Sequence, residues 1–539
     1  MKLSLKNPLQ AKACSLVATT IALATIAASN AAAADVRVLN DRVSGVPLAN
    51  TEAIFPNIFS PEFTFGLVVE GSDPLENPSG VITKFGNLST GDRTEPDENT
   101  YLVLDHNPGG PGPTGFDYGR HFLFQGHEML NGNTNQAYLT RVNLDVVDPA
   151  HRITLLTPLN AMGFTGFNSI DGSTWNPFSE TLLFTQEDGN IGGVIEVGAD
   201  FDTTTGAGKG LRTLYDSLGR GGYEGIHPDD WGNILIIEDA GGTTIPAGTI
   251  PGQFGRNPNS FVYRFVPTDP TDLSQGKLQA LRVSINNNPV TFVPVDAAHP
   301  TGDVLSNNQL LLHTVGASWP VQWITIRDTA NPPPAGWPDA NAVAKAAGAT
   351  PFKRPENAQF QPGSKFQTFF FIITGDTDFR AGNQPALAAR GSYGGIFRVD
   401  LDGSRETGRI SLVVLGDADH AAFDNVTFVD DKDTILVAED RGDTLHDQLN
   451  RLDSVWAYKL LNGNPAGTTV SRFIALGEDP LAPFNPGVED NEPTGVHMSE
   501  GDSTINGLIG TKVFNRDRAR LFFTQQHGEN NLFEVLPLD

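Results

Sequence analysis

Residues 423–443 read FDNVTFVDDKDTILVAEDRGD. Two short β-branched runs, 426–429 and 434–438, flank a polar DDKD segment, the pattern of a hairpin with alternating side chains. Acids border each run at its outer end: Asp424 beside Asn425 before the first, Glu439 and Asp440 after the second. A hairpin brings its two outer ends together. The outer acids therefore meet at one end of a sheet, while Asp430, Asp431 and Asp433 sit in the solvated tip at the other.

The same unit recurs along the chain. FLFQGHE (122–128), TLLFTQED (181–188), NILIIED (233–239), FFFIITGDTD (369–378), TILVAED (434–440) and RLFFTQQH (520–527) are apolar strands ending in acidic or polar residues, each followed by another short β-type run. Five have an upstream partner: GFNSIDGSTWNPFSE (166–180), YEGIHPDDWGN (223–233), RPENAQFQPGSK (354–365), FDNVTFVDDKD (423–433) and EPTGVHMSEGD (492–502). Six such units, with a wide gap over 240–365, predict an all-β chain folded as a six-bladed β-propeller with loop insertions. The one short helical pattern is DANAVAKAAG at 339–348.

In a propeller the first strand of each blade lines the axis, so acid-bordered hairpins build a ring of carboxylates at one rim. An acid after a strand is ordinarily a solvated turn residue or a cap; six in one phase are a pattern. Unit charges 4 Å apart repel by roughly 4 kcal/mol at an effective dielectric near 20, so a ring of this kind binds cations or protonates. Oxygen ligands suit Ca²⁺, expected here in several copies, and do not suit structural zinc.

Residues 1–34 carry three lysines before an apolar stretch and end in small residues around Ala32–Ala34, the layout of a secretory signal peptide without a twin arginine. The expected organisation is a signal at 1–34 and one propeller domain over 35–539, interrupted by an insertion around 284–350. The expected location is secreted or periplasmic. Without the signal the chain has 33 basic and 63 acidic residues, a balance that repels nucleic acid and anionic lipid. No later apolar run is long enough to span a bilayer, and a monomer is expected. The only cysteine, Cys14, leaves with the signal, so the remaining chain has no disulfide and no thiolate ligand.

Other motifs exclude chemistry. GHEML (126–130) lacks the second histidine of a zinc-protease helix. GGPGPTG (109–115) lacks the lysine and the helix of a phosphate-cradling loop, and DLDG (400–403) and DFDTTTG (200–206) lack the remaining ligands of a calcium-binding EF-hand loop.

In order along the chain, GHE (126–128), FNSIDGSTW with TQED (167–188), YEG with IED (223–239), FVYRF with LQALRV (261–283), RPEN (354–357), FDN with AED (423–440) and EPTGVHMSEGD with QQHG (492–528) resemble the PhoX-type alkaline phosphatases. That resemblance implies a six-bladed propeller whose central site holds calcium and iron, and a small phosphoester as substrate. It implies metal ligands at Glu128, Glu187, Glu224, Glu238, Glu356, Asp424, Glu439 and Glu492. It implies Arg354, Glu356 and Ser169 as catalytic positions, with Arg354 the phosphate contact. Ser169 stands where the family has an iron-bridging Cys, and a hydroxyl is a far poorer iron ligand than a thiolate. The expectation is thus a secreted, calcium-dependent phosphomonoester hydrolase in which iron is doubtful. The alternative is a catalytically reduced calcium-binding propeller acting as a binding or structural module.

Overall fold

The computed structural model describes residues 57–59, 63–129, 135–246 and 254–537, with short breaks at 335, 430–432, 442–444, 446–447, 450, 452, 461–467, 477–491, 514 and 516–517. The signal segment, Cys14, Asp430 and Asp431 lie outside the described residues.

The hairpin that opens the sequence reading forms as Phe423–Phe428 against Thr434–Glu439, with Phe423 opposite Glu439, Val426 opposite Val437 and Phe428 opposite Ile435. Between Phe423 and Val426 the register shifts, so that Asp424 and Asn425 together oppose one residue. This is a β-bulge, which re-aims a side chain and sharpens the local twist.

Five more strands carry the same device: Thr94–Val103, Ile170–Asn176, Tyr223–Pro228, Pro355–Phe360 and Glu492–Ser499, with shifts after Pro96, Ile170, Tyr223, Pro355 and Thr494. These six strands stand side by side around an axis, each touching the next, and Glu492–Ser499 returns to Thr94–Val103. Each opens an antiparallel meander that runs outward in chain order. The arrangement is all-β and propeller-like.

Among the described residues the hydrogen-bonded sheets number five. Three hold four strands, one holds five and one holds ten. In the ten-stranded sheet, Ser318–Asp328 pairs with Asp272–Ile285 on one side and Thr407–Leu415 on the other, splicing two meanders edge to edge. Part of the 284–350 segment thus supplies a joining strand. It also supplies the helix Ala340–Ala347, capped by Asp339 accepting from the Ala342 amide and closed by left-handed Gly348. Asn57–Phe59 and Phe63–Val69 complete the last two sheets by pairing with Thr469–Leu476 and Leu532–Pro537. Apolar side chains fill the space between neighbouring sheets; Phe370, Ile372, Phe428, Ile435, Val437 and Trp456 form one such layer, each fully buried. That packing fixes the inner strands and hence the groups on the axis.

Candidate metal centre

Five of the six bulges present an acid to the axis: Asp97, Asp171, Glu224, Glu356 and Asp424, all buried. The following residue is Gly or a polar residue, because the inner strands approach one another there. A Cβ on Gly172 would fall 2.2 Å from the Glu224 carbonyl oxygen, and one on Gly225 would fall 2.6 Å from Asn357 Oδ1. The sixth bulge carries Gly495 instead of an acid. Its φ of +59° and its packing against the Asp97 carbonyl leave no room for a side chain.

Carboxylate oxygens from three overlapping triplets converge within 4.8 Å: Asp97, Glu128 and Asp171; Asp171, Glu187 and Glu224; Glu224, Glu356 and Asp424. Asp171 and Glu224 are shared, so the triplets form a continuous chain of acids. Burial, then mutual repulsion, pushes Glu128, Asp171, Glu224, Glu356 and Asp424 well above the ordinary carboxylate range. Glu187 is raised to about 8 by burial and by Asp239, and Glu98 to about 8 by burial, opposed by the Ser173 amide it accepts from. Asp171 Oδ1 and Glu224 Oε2 are buried with no hydrogen-bond partner. Unpartnered carboxylate oxygens on an acid-rich axis fit a hard, oxygen-liganded cation.

Placement of the sequence-derived residues follows the strand pleat. Glu128, Glu187, Glu224, Glu356 and Asp424 come together in the triplets. Glu238 and Glu439 do not. They pair opposite Tyr223 and Phe423, in the register position that Gln186 takes opposite Ile170, one residue before the position of Glu187. Successive side chains point to opposite faces, so these two glutamates turn away from the triplets and their successors turn inward. Glu439 accepts from the Ala421 amide at 2.8 Å and from Arg441 at 2.7 Å. Asp239 instead reaches Arg354, and Asp440 acts electrostatically on Glu187 and Asp424. Glu492 lies three residues before its bulge; it hydrogen-bonds Asp424 and sits 3.7 Å from His527 Nε2.

Asp97, Asp171, Asp239 and Glu98 were not singled out from the sequence, and Asp440 was noted only as an acid bordering its hairpin, not as a ligand. A usable signal exists: Pro-Asp-Glu-Asn, Ile-Asp-Gly, Tyr-Glu-Gly, Pro-Glu-Asn and Phe-Asp-Asn at 96, 170, 223, 355 and 423 share an acid followed by Gly or a polar residue.

Arg354 is the cation in direct contact with this site among the described residues. Its Nε donates to Asp239 Oδ2 at 2.7 Å, and its terminal nitrogen lies 3.4 Å from Glu356 Oε1. Ser169, Arg354 and Ala422 each precede an inner strand in left-handed backbone, at φ of +39°, +49° and +54°. Their carbonyls accept the amides of Glu187, Thr374 and Asp440. Three strained residues thus pin the strand ends that border the site. Ser169 takes part here through its main chain. His127 is a core residue, stacked on Tyr138 and bonded to Thr140.

A cleft of about 300 Å³ opens beside Arg354, lined by Glu187, Asn190, Glu238, Asp239, Asn259 and Asn341 among others. No helix among the described residues is long and apolar enough to cross a membrane.

Solved structures that resemble the chain include oligogalacturonate lyase in complex with manganese, at 12% identity and a TM-score of 0.32, covering 90% of this chain and 98% of that one. The PQQ domain of pyranose dehydrogenase from Coprinopsis cinerea follows at 11% and 0.30, covering 90% and 97%. TolB from Acinetobacter baumannii stands at 10% and 0.28; it covers 81% of this chain, which spans 63% of TolB. At such distances none of them assigns an activity here. No curated protein matches the chain. Residues 255–502 do match a family model, that of the alkaline phosphatase PhoX.

Proposed function

We propose that this protein is a secreted, metal-dependent phosphomonoester hydrolase whose reaction centre is the carboxylate chain on the axis. The observation that carries the proposal is the set of three acid triplets sharing Asp171 and Glu224, in a chain with a PhoX-family region. The six bulged inner strands support reading the five sheets as six blades, the ten-stranded sheet counting as two.

Asp97, Glu128, Asp171, Glu187, Glu224, Glu356 and Asp424 would hold the ions, with Glu492 and Asp440 bordering them. Calcium is the ion we assign, on the all-oxygen donor set. Bound cations would outweigh the ring's negative charge and lower the pKa of a coordinated water. The chain's own residues do the positioning. Hydrolysis transfers the phosphoryl group from the ester oxygen to water, and the alcohol departs with a proton. Arg354, aimed by Asp239 and Glu356, supplies paired donors to phosphoryl oxygens that carry charge in the transition state. The buried wall excludes bulk water from that step. Residues 1–34 support secretion or a periplasmic location.

The test is hydrolysis of p-nitrophenyl phosphate by purified protein with calcium, with iron and after chelation. Turnover that requires calcium is expected. Absence of turnover in every condition, with thermal stability still dependent on calcium, would replace the proposal with a calcium-bearing binding propeller. Ser169, a hydroxyl in a strained main-chain role, favours that second reading.

A further inference from the structure

The cleft beside Arg354 has an unusual lining. Its walls are Glu187, Asn190, Glu238, Asn259, Asp339 and Asn341, with glycines and a single apolar side chain, Ala240. A pocket for an aryl or acyl group is lined mostly by hydrophobic and aromatic side chains, so this one is built for hydrogen bonds. It is also joined to the acid chain, because Glu187 belongs to both, and Asp239, which holds Arg354, forms part of its wall.

Glu238 supplies the second observation. One of its oxygens, Oε2, accepts three hydrogen bonds: from the Phe261 amide at 3.0 Å, Tyr263 Oη at 2.8 Å and Asn341 Nδ2 at 3.0 Å. Those donors lock the carboxyl in place. The other oxygen, Oε1, is buried with no partner, on a residue that is 0% exposed. With that carboxyl locked, this part of the wall is rigid, so a ligand's hydroxyls meet it with little reorganisation.

Resting on the phosphatase reading, we infer that this cleft receives the leaving alcohol and that the preferred esters are phosphates of neutral polyols, such as glycerol or a hexose. A phosphoryl group on Arg354 places its ester oxygen at the cleft mouth. Hydroxyls on the alcohol then meet the side-chain amides of Asn190, Asn259 and Asn341. Glu187, Asp239 and Asp339 make the same space unfavourable for alcohols that bear further anionic groups.

The experiment compares kcat/KM for glycerol 2-phosphate, glucose 6-phosphate, phenyl phosphate and ATP with calcium present, in the full chain and two variants. The polyol esters should exceed ATP by at least about tenfold, and Asn190→Leu should lower the polyol-to-phenyl ratio by about tenfold. Asp339→Asn keeps the helix cap, since asparagine also caps, and should raise the relative rate on ATP. Equal kcat/KM for all esters, or an Asn190→Leu loss shared equally by polyol and phenyl esters, overturns the subsite while leaving the phosphatase intact. Absence of turnover on every ester overturns both.

Discussion

Two buried groups of charge lie within a few residues of each other and are treated in opposite ways. Lys353 and Asp376, 1% and 0% exposed, pair at 2.8 Å, and Asp376 also accepts from Ser392 Oγ and the Arg256 amide. Arg441 and Glu439 repeat that arrangement, both at 0%. On the axis, seven carboxylates gather in triplets, with Arg354 as the contacting cation among the described residues. Where charge is structural, the chain provides the counterion in its own sequence. Where charge surrounds the axis, most of the neutralisation would fall to protons or to a bound cation.

The contrast can be broken by experiment. Lys353→Met strands the Asp376 carboxylate and should cost about 3–5 kcal/mol, equally with and without calcium, as read by denaturant unfolding. Glu224→Gln removes a shared axial acid. With calcium it should forfeit most of the ion's stabilisation, which reaches about 2.7 kcal/mol at a hundredfold excess over Kd. Without calcium its melting temperature should match or exceed that of the parent. A Glu224→Gln protein that is destabilised in chelator as much as Lys353→Met would erase the distinction.

The pH dependence is a smaller effect and sharpens the contrast. Glu98 and Glu187 stand at about 8 in the folded chain, against an ordinary 4.5. Between those values the folded chain holds protons that the unfolded chain releases. Their stabilising contribution is therefore complete below about 4.5 and lost as pH rises through about 8. In chelator, unfolding free energy should fall across that window; calcium should flatten the slope by favouring the ionised carboxylates. A chelated protein whose stability rises over the same range would contradict the arrangement.

The smallest effect concerns Ser169. Glycine adopts left-handed backbone freely, so Ser169→Gly should stabilise by about 0.5–1 kcal/mol while keeping the carbonyl that receives the Glu187 amide. If calcium-dependent turnover survives as well, Ser169 acts through its main chain. If turnover vanishes with stability intact, its hydroxyl belongs to the chemistry.

Much of this was legible because strands and hairpin tips announce themselves. The period-2 run at 434–438, its polar tip and its outer acids lead directly to the hairpin that forms. What was not legible is phase. In IIED and AED two acids stand side by side, and only the register opposite Tyr223 and Phe423 shows that the second of each pair, Asp239 or Asp440, turns toward the site. A bulge adds one residue to one strand and so flips every assignment counted from the far side of it. Glu492 shows the converse: its sequence neighbourhood resembles the other inner strands, but the shift comes three residues later and falls on Gly495. The Glu238 cleft was invisible for another reason, since Tyr263 and Asn341 arrive from distant parts of the chain.

The strands at the beginning of the described chain carry one further consequence. Phe63–Val69 finds its partner in Leu532–Pro537, so every residue between them must be synthesised before that edge can be covered. Until then the early strand is an open, apolar template for pairing with another molecule, and so long a closure makes for slow folding. Leu532–Pro537 thus closes the pairing in a fold whose inner wall is made of mutually repelling acids. Cations that settle among those acids would act as a timing device as well as a cofactor, rewarding the chain only once these two distant strands have met.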